Sequence, residues 1–328
     1  MRILVVTTEY PNEAYPQAVP FIARDVRLLR EAGLDVDIFT FRGRRQVTNY
    51  IDAWFQVHKL LKKKRYDLVH AQFSQSAVSA LFPKPVPLIV TFRGSDVEGI
   101  VNFSNHYTFQ GKILQIISQF VALKADECIL VSKSLARKLP KRTYHIIPSG
   151  VDLELFKPYS QKEARQKLGF SLSRHYVLFG GNPDQPVKRI GLAQEVMKMV
   201  QSQFPDVELV ILNNRLHSEI PAYLNACDVL LLTSIHEGSP NVVKEALACN
   251  LPIVSTNVGD VKERIGKIEG CHVCDSDDKS SLATAVIGEL IRGGRIDGRK
   301  HIIELDERFT INGVLDVYMK VLGERNKK

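Results

Sequence analysis

Glu237 and Glu245 bracket the turn of HEGSPNVVKEALACN, residues 236–250. The apolar run at 229–233 precedes this turn, and a helical pattern over 241–249 follows it. Ser239 suits a helix cap, and Pro240 suits the first helical position, where a missing N–H costs nothing. The amides of Asn241, Val242 and Val243 then have no partner inside the helix. Such an end attracts phosphate. Carboxylates repel phosphate, yet they accept well from neutral hydroxyls. A ligand with a central diphosphate and a polyol at each end reconciles the two. These amides would take the diphosphate and each glutamate a sugar, which describes a nucleotide-diphosphate sugar.

The charge left on a departing diphosphate needs a counter-charge. The stretch 180–189, GGNPDQPVKR, follows one apolar run and precedes a helical one. Gly181 and Asn182 lie at its turn, and Lys188 and Arg189 are the candidate cations. A solvated basic pair at a helix start is the alternative. Leu216, in the run 215–217 after another apolar stretch, could wall a nucleotide base. The D-x-D within Asp275-Ser276-Asp277-Asp278 reads as a loop and helix cap, so no metal is expected. Five cysteines, with a lone C-x-x-C at Cys271 and Cys274 and no second pair at metal spacing, suit reduced thiols better than zinc.

The elements that must position these residues alternate. Apolar runs at 2–8, 34–40, 67–72, 88–91, 128–132 and 145–148 are separated by helical stretches at 20–32, 50–65 and 112–124. The pattern pauses at 148–158 and restarts with strands at 176–180, 207–212, 229–233 and 252–255 between helices at 190–203, 220–226 and 241–249. The expected fold class is α/β: two doubly wound parallel sheets, with domains at 1–158 and 159–308. In such sheets ligands bind beyond the carboxyl ends of the strands, and two such edges could share a cleft.

With these flanks, Glu237 to Glu245 resembles the E-x7-E signature of the retaining glycosyltransferases of family 4, which have the GT-B fold. The segments 226–234, 251–260, 67–71, 91–96 and 146–152 extend the resemblance over most of the chain. It implies that Glu245 accepts from the ribose and that Glu237 holds the donor sugar. It also implies donor contacts from Gly238, Ser239, Pro240, Asn241 and Val242, and diphosphate contacts from Lys188 and Arg189. An arginine often stands where this chain has Asn182. By the same resemblance the anomeric configuration is retained by front-face attack, and the departing phosphate oxygen takes the acceptor proton. The stretch 309–328 resembles the last helix of the family, which crosses back to the first domain.

The first half departs from the pattern twice. Arg93 stands where much of the family has a histidine. A guanidinium cannot act as a general base, but it could clamp a phosphate or carboxylate of either substrate. Asp96 matches the family and is expected either to orient loops or acceptor or simply to cap a turn. Val19 stands where the family commonly has a glycine that lets a backbone N–H approach the diphosphate. No G-x-G-x-x-G follows the first strand, which argues against a dinucleotide-dependent dehydrogenase.

Hydrophobic residues make up 45% and charged residues 24% of the 328, as in ordinary globular proteins. No apolar run is long enough to span a bilayer, and residues 1–9 read as a strand rather than a signal peptide. The net charge is +8, and residues 1–158 hold 22 Lys and Arg against 14 Asp and Glu, so the whole excess lies there. An anionic partner is implied. Lys62, Lys63, Lys64 and Arg65 end the helix that carries Trp54 and Phe55. They suit either anionic lipid or a helix C-terminus above a core-facing stripe. Arg42, Arg44 and Arg45 form a second cluster. No aromatic-basic platform points to nucleic acid. The expectation is a cytoplasmic hexosyltransferase, peripheral on the inner membrane face, that needs no cofactor. It would use a nucleotide-sugar donor and a glycan, lipid-linked or small-molecule acceptor. A catalytically silent nucleotide-sugar binder and a nucleotide-sugar epimerase remain as alternatives.

Overall fold

The computed structural model describes residues 1–13, 18–43, 46–212, 215–275 and 277–325, without the side chains of 324 and 325. Arg44, Arg45, Ser276 and part of the loop before Val19 lie outside these residues. The chain divides into two units. The first comprises Met1–Ile100, Tyr107–Gly150 and Glu307–Lys328; the second comprises Val101–His106 and Val151–Asp306.

The boundary at Gly150/Val151 corrects the expected break near residue 158. Val151 donates its N–H to the Leu305 carbonyl at 2.8 Å and bridges Asp306 in parallel. Leu153 and Phe156 are buried in the core of the second unit. Packing therefore claims 151–158 for that unit, where the sequence shows only a pause in pattern. For the same reason the last segment begins at Glu307 rather than 309.

In the first unit six strands pair in parallel: β1 (Arg2–Thr7), β2 (Asp35–Thr40), β3 (Leu68–Gln72), β4 (Leu88–Phe92), β5 (Glu127–Leu130) and β6 (His145–Ile146). Their order is β2-β1-β3-β4-β5-β6. Helices α1 (Pro20–Glu31), α2 (Val47–Lys63), the short α3 (Ser74–Ala77) and α4 (Ser95–Glu98), and α5 (Phe109–Lys124) connect them. Every residue of β3 and β4 is buried, as expected of strands covered on both faces. On one face Val57 of α2, Ala77 of α3 and Val121 and Ala122 of α5 pack on alternate strand residues such as Leu4, Val69 and Val90. On the other face Val26 and Leu29 of α1 join Val317 and Tyr318 of the C-terminal helix, Glu307–Arg325.

That helix is fixed to the first unit by charge as well as packing. Glu307 pairs with Arg24 and Arg27 of α1 at 3.1 and 2.6 Å, and Lys320 reaches Glu127 at 2.7 Å. Val19 begins α1 with φ 39°, ψ 59°. This left-handed conformation is disfavoured for a β-branched residue and natural for glycine.

In the second unit β7 (Tyr176–Phe179), β8 (Glu208–Ile211), β9 (Val229–Leu232), β10 (Ile253–Thr256) and β11 (Cys271–Cys274) form a parallel sheet ordered β11-β10-β9-β7-β8. Its helices are α6 (Gln161–Leu168), α7 (Ile190–Gln201), α8 (Ile220–Ala226), α9 (Asn241–Ala248), α10 (Val261–Ile265) and α11 (Lys279–Arg292). Leu230, Leu232 and Ile253 face the core beneath α8 and α9, while Val229, Leu231 and Val254 face α7 and α11. All five cysteines are free thiols.

A buried polar chain crosses the first unit. His70, fully enclosed, meets Tyr318 Oη with Nδ1 at 2.6 Å and Thr91 Oγ1 with Nε2 at 2.7 Å. Burial, aided by the Arg93 charge, pushes its pKa down to about 3, so the imidazole is neutral in the fold. The unfolded chain binds a proton on this histidine below its ordinary value near 6.5 and the folded protein does not. Stability therefore falls as pH drops from about 6.5 toward 3, by about 1.4 kcal/mol per pH unit from this group. His70→Gln should be less stable at neutral pH and should lose that one-proton slope. Urea titrations of both proteins between pH 6.5 and 4 measure the difference; parallel slopes would contradict the assignment.

Candidate active site

Four loops at the carboxyl edge of the second sheet hold the residues singled out by sequence. Glu237 follows β9. Its Oε1 accepts from Lys188 Nζ at 2.5 Å and from Ser234 Oγ at 2.7 Å. Both ionic side chains are mostly enclosed, at 17% and 15% exposure, which strengthens their attraction over that of a surface pair. Lys188 ends a short 3-10 turn, Pro186–Lys188. A Cβ on Gly181 would lie 2.7 Å from the Lys188 Cδ, so glycine there lets the lysine stem lie against the backbone. Asn182 is exposed and turns the loop, with Oδ1 accepting from the Asp184 amide at 2.9 Å.

Arg189 has a different task from the diphosphate contact expected of it. Its Nε donates to the Thr233 carbonyl at 2.6 Å and Nη2 to the Ser234 carbonyl at 3.1 Å, while Nη1 pairs with Asp277 at 2.7 Å. The side chain is only 7% exposed, and burial lowers its pKa against the opposing pull of Asp277. Arg189 thus ties the end of β9 to the start of α7. The cation that meets the first glutamate is Lys188.

The helix start also differs by one residue. Pro240, with φ −66° and ψ 118°, is the N-cap of α9, and no side chain caps it. The Ser239 hydroxyl instead donates to Asp260 at 2.9 Å, and Arg264 holds the same carboxylate oxygen at 2.9 Å. The Val243 amide bonds back to Pro240 at 3.2 Å, so the amides of Asn241 and Val242 are the ones at the mouth of the helix. Asn241 Oδ1 is buried there with no hydrogen-bond partner. Gly259, with φ +57°, lets the loop after β10 touch this turn: a Cβ would sit 2.5 Å from the Gly238 carbonyl oxygen.

Glu245 lies in the second turn of α9, 10% exposed, and meets His217 Nε2 at 3.1 Å. His217 opens the short turn after β8 and stacks edge-on with Phe156 at 5.1 Å. Leu216, next to it, is half exposed. Asp278 caps α11 by accepting from the amides of Ser280 and Ser281 at 3.0 Å each. Among the described residues no three His, Cys, Asp or Glu side chains group as metal ligands.

In the first unit Arg93 follows β4, but four of its five N–H donors are engaged inside the protein. They reach Gln72 at 3.1 and 2.7 Å, Asp25 at 2.8 Å and Ser149 at 2.6 Å, and the guanidinium lies 4.8 Å from the Phe21 ring centroid. A substrate clamp, as expected from sequence, would have to displace these partners. Asp96 is fully buried and accepts from the amides of Ser74, Arg93 and Gly94 at 2.9–3.1 Å. Burial raises its pKa, and these bonds oppose the rise. It joins the loops that leave β3 and β4, which is the turn-capping alternative together with loop orientation.

Sequence reasoning missed Ser234, Asp260 and the partners of Arg93. Ser234 and Asp260 lie in the loops that follow the buried strands β9 and β10, on the same edge as Glu237, and that position was their signal. Asp25 and Gln72 reach Arg93 only through the fold, 68 and 21 positions away.

Two family models match the chain: "Glycosyltransferase Family 4" over residues 2–155 and "Glycosyl transferases group 1" over 172–291. TuaC of Bacillus subtilis strain 168, named for teichuronic acid biosynthesis, is 23% identical over 81% of this chain and 84% of its own. A D-inositol 3-phosphate glycosyltransferase of Acidothermus cellulolyticus is 22% identical over 93% and 86%. The fold matches a sucrose-phosphate synthase of Thermosynechococcus elongatus with a TM-score of 0.82 at 16% identity, over 98% of this chain and 99% of that one. It matches Anabaena HepE, solved with UDP and glucose, with a TM-score of 0.68 at 15% identity over 97% and 99%. With one family model on the first sheet and the other on the second sheet, whose edge carries the paired glutamates, the chain belongs to the family 4, group 1 glycosyltransferases of GT-B fold.

Proposed function

We propose that this glycosyltransferase moves a sugar from a nucleotide-diphosphate donor to a glycan, lipid-linked or small-molecule acceptor in surface glycan or glycolipid synthesis, with retention. One observation carries the reading. Two enclosed carboxylates flank a helix mouth, with a lysine on the first and an unpartnered buried Asn241 Oδ1 between them. An unpartnered oxygen calls for a hydroxyl or amide donor, and a free helix end calls for an anion. A nucleotide sugar supplies both. One solved structure of Anabaena HepE is in complex with UDP-glucose. A 24% identical Escherichia coli relative, matched over 62% of this chain and 60% of its own, is named for UDP-galactose and a diphosphoundecaprenol-linked acceptor. Both support this donor class.

Glu245 takes ribose hydroxyls, exchanging or sharing its His217 contact, and Leu216 lies beside the base. The amides of Asn241 and Val242 face the diphosphate, with Gly238, Ser239, Pro240, Gly181 and Asn182 shaping the turns around it. Glu237 orients the sugar hydroxyls. Lys188 passes from Glu237 toward the diphosphate and stabilises the charge that grows there as the bond to the anomeric carbon breaks. The acceptor oxygen bonds to that carbon from the same face, and its proton passes to the departing phosphate oxygen. No metal and no side-chain base is needed. Arg93 and Asp96 act by holding loops in place rather than by transferring protons.

The deciding experiment is a panel of nucleotide sugars scored for binding and for slow donor hydrolysis. One donor should bind and hydrolyse. Failure of every donor would sink the reading. Glu245→Ala should weaken that donor by about 10- to 100-fold in calorimetry, the cost of lost hydrogen bonds to a charged acceptor; unchanged affinity removes Glu245 from the site. Lys188→Met should lower kcat by roughly 10²–10³ with a smaller change in KM, as for other transition-state charge contacts. Gly259→Ala should push the Gly238 turn aside and reduce donor affinity while the protein remains folded by circular dichroism. Wild-type affinity in that variant would show that the close approach is dispensable.

A further inference from the structure

Helix α5 is built inside out. Its buried positions carry small or modest side chains: Gly111, Ser118, Val121 and Ala122. A Cβ on Gly111 would stand 2.4 Å from the Ile100 amide nitrogen, so this face has no room for more. Its large apolar side chains point outward. Phe109, Ile113, Ile116, Phe120 and Leu123 recur at alternating steps of four and three, and Phe109, Ile116 and Leu123 are 78%, 65% and 60% exposed.

Helix α2 lies in the same layer, on the same face of the first sheet. It buries Ala53, Val57 and His58 and leaves Val47, Ile51 and Phe55 outside, Phe55 at 61% exposure. The apolar stripe of α2, which the sequence left to face either the core or lipid, therefore divides, with part of it turned to solvent. The two outer stripes are joined. Trp54 packs edge-on against Phe55 at 4.8 Å and donates its indole N–H to the Phe82 carbonyl at 2.5 Å, and the half-exposed Phe82 ring lies 6.4 Å from Phe120. One apolar surface thus runs across α2, Phe82 and α5.

Charge identifies what covers it. Exposed Lys112 and Lys124 flank the α5 stripe, and exposed Lys59, Lys62 and Lys63 continue the α2 stripe. Helix α5 has no acidic residue, and α2 has only Asp52, hydrogen-bonded to Gln56. Beyond α5, Asp126 is paired with Lys84. An apolar face rimmed by lysine suits the interface of an anionic bilayer: the rings and branched chains enter the acyl boundary and the ammonium groups meet the headgroups. Two copies meeting through this face would bring like charges together, which disfavours self-association.

We propose that the outer face of α2 and α5, joined through Phe82, docks the first unit on a bilayer surface that contains anionic lipid. The surface shares no residue with the donor site of the second unit, so the two readings fail separately.

The test is co-sedimentation of the full chain with phosphatidylcholine vesicles prepared with and without phosphatidylglycerol. Binding should require phosphatidylglycerol and weaken with salt. It should fall by about tenfold or more in the Ile116→Asp, Phe120→Asp double variant, whose nucleotide-sugar binding stays at the wild-type level. Should that variant misfold, Phe55→Ser and Lys62→Glu, on the other helix, test the same surface. Three results would overturn the proposal: no vesicle binding at low salt, equal binding without phosphatidylglycerol, or a wild-type dimer in light scattering that the double variant abolishes.

Discussion

A parallel strand cannot be joined to its neighbour by a tight turn; the chain must cross over and return to the same end. Every strand of a parallel sheet therefore releases its following loop at one edge. In the second unit this rule brings together segments that are far apart in sequence. Lys188 comes from the loop after β7, His217 from that after β8, Glu237 from that after β9 and Gly259 from that after β10. The contacts between Lys188 and Glu237, and between Gly259 and the Gly238 carbonyl, then fix those loops relative to one another. Helix α9 starts at the centre of this edge because β9 is the central strand of the order β11-β10-β9-β7-β8.

The first unit follows the same rule to a different end. Its edge carries an arginine and an aspartate, and a histidine lies within β3, yet each is held within the protein. Arg93 is surrounded by Asp25, Gln72 and Ser149, Asp96 by three backbone amides, and His70 by Thr91 and Tyr318. Buried polar groups of this kind are costly when unpaired and rigid when paired. They keep the loops after β3 and β4 in one arrangement.

Much of the second sheet was legible in the sequence because its strands are short apolar runs bounded by turns. Glu237, Glu245 and Lys188 were legible because each follows such a run. Details that depend on three-dimensional neighbours were not. Pro240 rather than Ser239 caps α9 because Asp260, from another loop, takes the serine hydroxyl. Arg189 looks like a ligand cation until the carbonyls of Thr233 and Ser234 close on it. The unit boundary was hidden because residues 151–158 have no regular pattern, and only the bridge from Val151 to Asp306 reveals their allegiance. The amphipathic character of α2 was visible, but which of its apolar residues face inward depends on the layer it joins.

Val151 enters the second unit beside Asp306, where the chain leaves it, while Gly150 lies against Glu307 in the first. Residues 151–306 are thus a cassette, entered and left through one doorway, and with Val101–His106 they make up the second unit. The first unit is a host that is completed only when the helix Glu307–Arg325 returns to it. Loss of the C-terminus would strip the host sheet of the helix covering His70 and leave the cassette with its own core intact. Donor-unit cassettes with different specificities could be exchanged at that doorway without cutting either core.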